Sequence, residues 1–378
     1  MEEPQYQLIT NPDQWSKCLD LLQIEPRLAV DLEANSMFAY RERVCLIQVS
    51  TPAQDFIVDP LAPLNLDKLG EIFADPSIEK IFHAAEYDLI LMKRQYDWEV
   101  NNLFDTMWAA RILGYKRYGL ANLLNDTFGV RLNKRYQKSN WCRRPLSPEQ
   151  LAYACYDTHF LFRLRDKLSA ELEAEGCLEE SAEIFTEHTR VRINDNGFNP
   201  DSFWSINGVH DLTRQEQAVL KAINIYRDQE AKRRDQPLFK IFSDRTLLEI
   251  AQQSPDSMHD LATVHGMSRG QMRRYGRTLL EVIRRARRTA PPRVPRKPKR
   301  TPDHVLSRYE KLHTWRKHRA RARGVESDVI ISRNALWELA HNNPQSAEEL
   351  KQLAFIGEWR SRTYGPEILR LLEDSAAG

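Results

Sequence analysis

The strongest constraint on this chain of 378 residues is that one stretch of it occurs twice. Tyr226-Arg227 returns as Trp315-Arg316, an offset of 89. Without a gap, the same offset pairs Leu247 with Leu336, Glu249 with Glu338, Ala251 with Ala340, Pro255 with Pro344, Leu261 with Leu350 and Tyr275-Gly276 with Tyr364-Gly365. Apolar positions stay apolar throughout. In the first copy, Leu220, Ile223 and Tyr226 stand at helical spacing between Thr213 and Arg234, and no strand signal follows. Two copies are too few for a solenoid, so each must close around its own core. The sequence therefore predicts two small all-helical domains, at 211–290 and 302–374. From Arg284 to Arg300 the chain carries nine basic residues and no acidic one, with prolines at 291, 292, 295 and 298. Proline cannot continue a helix, so 291–301 is predicted to be an extended basic linker.

The first part reads differently. Leu28 to Glu33, Val44 to Val49 and Phe56 to Val58 are short, β-rich runs close together, as in a meander of antiparallel strands. Ile81-Phe82-His83 is predicted as a further strand, Glu86 to Tyr96 as a helix, and Leu103-Phe104 as another strand before a helix through Leu113. Ser147 followed by Pro148 marks the start of a long helix running to about Glu175. These signals predict a mixed-sheet α/β domain over 5–175, joined through a segment at 176–210 to the helical pair.

Charge divides along the same line. Residues 1–200 hold 22 Lys+Arg against 31 Asp+Glu, so the remainder holds 33 against 22. An acidic half suits cation-holding chemistry, and a basic half suits an anionic polymer. No run reaches the roughly 18 consecutive apolar residues of a membrane span. Met1-Glu2-Glu3-Pro4 is acidic where a signal peptide is basic. The five cysteines (18, 45, 142, 155 and 177) include no CxxC pair and are expected to be reduced thiols. A soluble, cytoplasmic protein is expected.

Within the α/β domain, Asp31 and Glu33 sit two apart on a strand of Leu, Ala and Val, so both carboxylates share one face. Buried together they cost free energy unless positive charge lies between them, and a hard divalent cation supplies it. Asp88 falls in the first turn of a helix after a strand, with Glu86 as a second acid nearby. Tyr153 and Asp157 are i and i+4 on one helix face. A phenol with a pKa near ~10 is a poor base at neutral pH, so Tyr153 would orient a water while Asp157 ligates metal. Taken singly, each feature has an ordinary reading: a hydrated strand end, a helix-dipole carboxylate, a helix surface. His83 reads as a structural hydrogen-bonding residue. Together, four carboxylates and a phenol fit two cations clamping a phosphodiester displacement.

The set Asp31-Leu-Glu33, His83-Ala-Ala-Glu-Tyr-Asp88 and Tyr153-Ala-Cys-Tyr-Asp157 resembles the three motifs of the DEDD 3′–5′ exonucleases, tyrosine subtype. Cys45-Leu46-Ile47-Gln48, Phe104-Asp105-Thr106 and Gln137-Lys-Ser-Asn-Trp141-Cys-Arg-Arg-Pro-Leu146 resemble ribonuclease D more specifically, and each repeat is similar to an HRDC domain. The resemblance implies an RNase H-like exonuclease domain followed by two HRDC-like domains. It also implies a site of two Mg²⁺ or Mn²⁺ ions on Asp31, Glu33, Asp88 and Asp157 with Tyr153, and release of nucleoside 5′-monophosphates from RNA 3′ ends, with precursor tRNA as the expected partner. A DNA exonuclease on the same site, or a non-catalytic nucleic-acid binder, is the competing reading. Expected nucleic-acid contacts are Lys134, Gln137, Arg143, Arg144, Arg284, Arg285, Arg287 and Arg288. Tyr275, Trp315 and Trp359 are expected in cores.

Overall fold

A computed structural model of the chain describes residues 4–191, 193, 197–295, 300–353 and 355–373. Residues 1–3, part of the expected linker (296–299) and residue 374 lie outside the described residues. Two compact units form. One comprises Met1–Ala34, Val44–Ile193 and Lys299–Gly378, the other Asn35–Arg43 and Asn194–Pro298.

The first unit is built on β1 (Tyr6–Ile9), β2 (Arg27–Ala34), β3 (Val44–Ser50), β4 (Asp55–Val58), β5 (Glu79–Phe82) and β6 (Leu103–Asp105), in the order β1-β4-β3-β2-β5-β6. The expected meander is present: β2–β3 and β3–β4 are antiparallel, whereas β1–β4, β2–β5 and β5–β6 are parallel. The sheet is mixed, as expected. Helices α1 (Pro12–Leu22), α2 (Asp67–Ala74), α3 (Glu86–Tyr96), α4 (Thr106–Ile112), α5 (Leu120–Phe128), α6 (Pro148–His159), α7 (Leu161–Ala174) and α8 (Leu178–Thr189) complete it. Ser147 caps α6 in a full capping box with Gln150, which fixes where the helix starts. The long helix expected from Ser147 is two, broken at Phe160, the C-cap of α6 and N-cap of α7. The domain also continues past Glu175. Ile184 and Phe185 of α8 belong to the same core as the sheet, with Phe185 packed 5.0 Å from the Phe104 ring.

Cys45 and Cys142 are joined in a disulfide across 97 residues of sequence, with Cα atoms 4.9 Å apart. This corrects the expectation of five free thiols. The fold brings together two cysteines whose sequence separation carries no pairing signal. Cys18, Cys155 and Cys177 are free.

The helical repeat is real in three dimensions. The first copy comprises α9 (Arg214–Arg234), α10 (Leu238–Ile241), α11 (Asp244–Gln253), α12 (Met258–Thr263) and α13 (Arg269–Ala286). The second comprises α14 (Asp303–Arg323), α15 (Ser327–Ile330), α16 (Arg333–Asn342), α17 (Ala347–Lys351) and α18 (Glu358–Glu373). Each has its own core. Arg227 Nη1 donates to the Phe242 carbonyl at 3.1 Å, and Arg316 Nη1 donates to the Ile331 carbonyl at 3.1 Å. Both pairs obey the offset of 89, which explains why the aromatic-Arg dipeptide repeats: each guanidinium satisfies a carbonyl left over at the end of a short helix. Tyr275 is buried, Trp315 Nε1 bonds Glu367 at 2.6 Å, and Trp359 meets Tyr364 edge-on at 5.4 Å.

The second copy docks onto the α/β domain within the first unit. Arg323 clasps the buried Glu180 of α8 with bonds of 2.6 and 2.7 Å. Arg360 reaches Glu187 at 2.7 Å, and the Trp359 amide reaches Glu183 at 2.7 Å. Residues 324–329 are where the second copy departs most from the first. They lie against α4 and its following loop: Arg111 Nη2 binds Glu326 at 2.7 Å and Asp328 at 2.6 Å, and Lys116 Nζ binds the Gly324 carbonyl at 2.6 Å. Val329 enters the main core. The divergent stretch is thus the docking segment, and part of the basic excess is neutralised by acids of the first half.

Candidate active site

The site forms where β2, the β5–α3 turn and α6 converge. Asp31 and Glu33 point from the same face of β2, and Asp157 approaches from α6. The carboxylate oxygens of these three residues lie within 4.8 Å of one another. Asp88 is buried in the first turn of α3 while Glu86 on the same turn is exposed, so the fold itself distinguishes the two acids. Asp88 stands outside the closest trio yet feels the charges of Asp31, Asp105 and Asp157. Tyr153, one turn before Asp157, lines the same cleft of about 440 Å³, as do Lys134 and Gln137. Its ring stacks on the buried Trp141 at 5.9 Å.

Burial and mutual repulsion set the protonation of the group. Burial pushes Asp31 up to about 7. Burial, reinforced by Asp31, Asp157 and Asp88, pushes Glu33 up to about 10. Burial and neighbouring carboxylates also lift Asp88 and Asp157 well above the usual range. Burial and the charges of Asp157, Glu33 and Asp31 hold the Tyr153 phenol above its ordinary value of 10. Such a cluster ionises at neutral pH only with positive charge among its oxygens. Gln48, directly across the ladder from Asp31, is fully buried, and neither of its amide atoms has a hydrogen-bond partner among the described residues. Hard oxygen donors around an orphaned amide fit a hydrated divalent cation such as Mg²⁺ or Mn²⁺.

Asp105 is the residue whose role the sequence reading missed. As N-cap of α4 it accepts from the amides of Met107 (2.9 Å) and Trp108 (3.2 Å). It also accepts from Ala84 (3.1 Å) and Ala85 (2.8 Å) in the β5–α3 turn. Ala84 is left-handed at φ 63°, a conformation of about 1 kcal/mol or more for a residue with a Cβ. One carboxylate therefore holds the turn that aims Asp88. The sequence signal was an Asp at a strand-to-helix junction. His83 Nδ1 lies 2.9 Å from the Thr106 hydroxyl, the structural hydrogen bond expected of it, and burial lowers it to about 4.

The expected nucleic-acid contacts divide. Lys134, Gln137 and Arg143 are exposed, as are Arg284, Arg285 and Arg288. Arg287 is tied to Ser254 and Asp256. Arg144 is not free to meet a phosphate. All five of its N–H groups are used, in a fork onto Asp59 (2.6 and 2.7 Å) and in bonds to the carbonyls of Trp141, Arg143 and Cys45. With the disulfide, Arg144 anchors the segment that carries Lys134 and Gln137.

Comparison with other proteins agrees with this geometry. Residues 6–173 match the 3′–5′ exonuclease family, and residues 216–283 and 305–372 match the HRDC domain. A ribonuclease D of Gluconacetobacter diazotrophicus is 30% identical over 377 residues, covering 96% of this chain and 92% of its own. The chain belongs to the ribonuclease D family. A second ribonuclease D, from Acidiphilium cryptum, is 30% identical over 97% of this chain and 93% of its own. Among solved structures, the catalytic core of RRP6 from Trypanosoma brucei shares 27% identity over 75% of this chain and 80% of its own, at a TM-score of 0.68. Escherichia coli RNase D, described as an exoribonuclease involved in structured RNA processing, shares the fold at a TM-score of 0.68, with 23% identity over 98% of this chain and 99% of its own. The family and the carboxylate cluster make this chain a hydrolase, a 3′–5′ exoribonuclease of the ribonuclease D type. Among the described residues no helix is long and apolar enough to cross a membrane.

Proposed function

We propose that the enzyme trims 3′ extensions from structured RNA in the cytoplasm, with precursor tRNA as its substrate, and releases nucleoside 5′-monophosphates. The observation that carries this reading is the convergence of three carboxylates within 4.8 Å beside Tyr153 in one cleft. Asp31, Glu33, Asp88 and Asp157 would hold two divalent cations. Bound there, these would offset the phosphodiester's charge and acidify water. The neutral Tyr153 phenol holds its proton at working pH, so it donates a hydrogen bond and orients the attacking water; it does not act as a base. Lys134, Gln137 and Arg143 are exposed and able to meet the phosphates of the incoming strand. The exposed arginines 284, 285 and 288 provide cationic surface for the folded part of the substrate.

The test is digestion of a 3′-extended tRNA precursor and a matched single-stranded DNA, with Mg²⁺ and with EDTA. The expected result is Mg²⁺-dependent shortening of the RNA with mononucleotide release. Preferential digestion of DNA would overturn the substrate assignment, and undiminished digestion in EDTA would overturn the metal assignment.

A further inference from the structure

Helix α6 carries two i, i+4 pairs. Tyr153 and Asp157 face the catalytic cleft. Cys155 and His159 are displaced from them by two residues, about 200° around the helix, and so occupy its other flank. There they meet Asp55, the first residue of β4. One ligand atom from each of Asp55, Cys155 and His159 lies within 4.8 Å of the other two. We propose that Asp55, Cys155 and His159 form a second metal site, separate from the carboxylate cluster, that takes a borderline-soft transition ion of the Zn²⁺ class.

The donor chemistry selects the ion. A thiolate, an imidazole and one carboxylate suit Zn²⁺ or Co²⁺, whereas Mg²⁺ and Mn²⁺ favour the all-oxygen cluster on the other flank. Asp55 and Cys155 are buried and His159 is exposed, which leaves an approach for the ion and for a water in the fourth position. A tetrahedral ion spaces its donors roughly 3.5 Å apart, so small side-chain rotations close the set. His159 Nδ1 already lies 2.6 Å from Asp55 Oδ2. The frame is braced: the hydroxyl of Ser50, paired with Asp55 across the β3–β4 ladder, lies 2.7 Å from the hydroxyl of Thr158, which stands between Cys155 and His159 on α6. An ion here would clamp β4 to the helix that presents Tyr153 and Asp157, without touching the reacting groups. The inference does not depend on the RNA substrate proposed above.

The experiment is a Co²⁺ titration of the full chain in excess Mg²⁺, without thiol reductant, followed by the absorption of thiolate-to-Co²⁺ charge transfer. An oxygen-only site cannot give that band. It should saturate at one equivalent in the wild type, disappear in Cys155→Ser, persist in Cys177→Ser, and require roughly tenfold or more Co²⁺ in His159→Ala. Absence of the band in the wild type overturns the proposal, as does a band that survives Cys155→Ser. Should Cys155→Ser not fold, His159→Ala decides, because its side chain is exposed; unchanged Co²⁺ affinity there refutes the site.

Discussion

Replacing Asp31 with Asn should inactivate the enzyme and stabilise its metal-free form, and both effects have one cause. Burial holds the native Asp31 carboxyl at about 7, against an ordinary value of 3.8. In the unfolded chain the group ionises near pH 4. Between about pH 4 and 7 the unfolded state therefore sheds its proton first, and each pH unit weakens the native state by about 1.4 kcal/mol. Above pH 7 the full penalty is roughly 4 kcal/mol, and because the carboxylate reaches the water of the cleft, about 2 kcal/mol is the working figure. Below pH 4 both states are protonated and the penalty vanishes. Asn never ionises. Urea denaturation in EDTA should thus find Asp31→Asn more stable by about 2 kcal/mol at pH 8 and level with wild type at pH 4. Saturating Mg²⁺ at pH 8 should reverse the order, since the wild type gains more binding energy. A variant less stable than wild type in EDTA at pH 8, or an offset independent of pH, would refute the reasoning.

Tyr153→Phe should reduce turnover by up to roughly a hundredfold while calorimetric titration finds metal affinity nearly unchanged; a lost metal site would make the tyrosine structural. Arg144→Ala should cost about 3 kcal/mol in chemical denaturation, since it strips the guanidinium fork from the buried Asp59, whereas Arg143→Ala should leave stability within about 0.5 kcal/mol and weaken RNA binding instead. Arg323→Met strands the buried Glu180, so the thermal midpoint should fall by several degrees at neutral pH and recover in Arg323→Met with Glu180→Gln.

The sequence displayed what local chemistry determines. Thr213 is the cap of α9, Glu86–Tyr96 is α3 to the residue, and the period-2 placement of Asp31 and Glu33 put both on one face. What it concealed depends on distant partners. The four residues of β1 are too few to show a period. Phe160 breaks a pattern whose hydrophobic spacing runs on into α7. Arg144 sits in a basic run that reads as surface until Asp59 arrives from 85 residues away. The pairing of Cys45 with Cys142, and of α8 with the second helical copy, likewise exists only once the sheet has formed.

The clasp between Arg323 and Glu180 has a consequence for how the chain is made. Its partners are 143 residues apart, and the whole first helical copy is synthesised between them. On the ribosome the α/β domain emerges with Glu180, Glu183 and Glu187 waiting, and the cations that answer them, Arg323 and Arg360, leave the exit tunnel well after it. Domains fold largely in the order of their emergence, so the nascent chain passes through a stage in which this acidic helix lacks its cover. Closing so long a loop is slow compared with local helix formation. The final assembly of the first unit therefore follows synthesis of the whole first helical copy, and translation that stops before residue 323 leaves Glu180 without the Arg323 clasp.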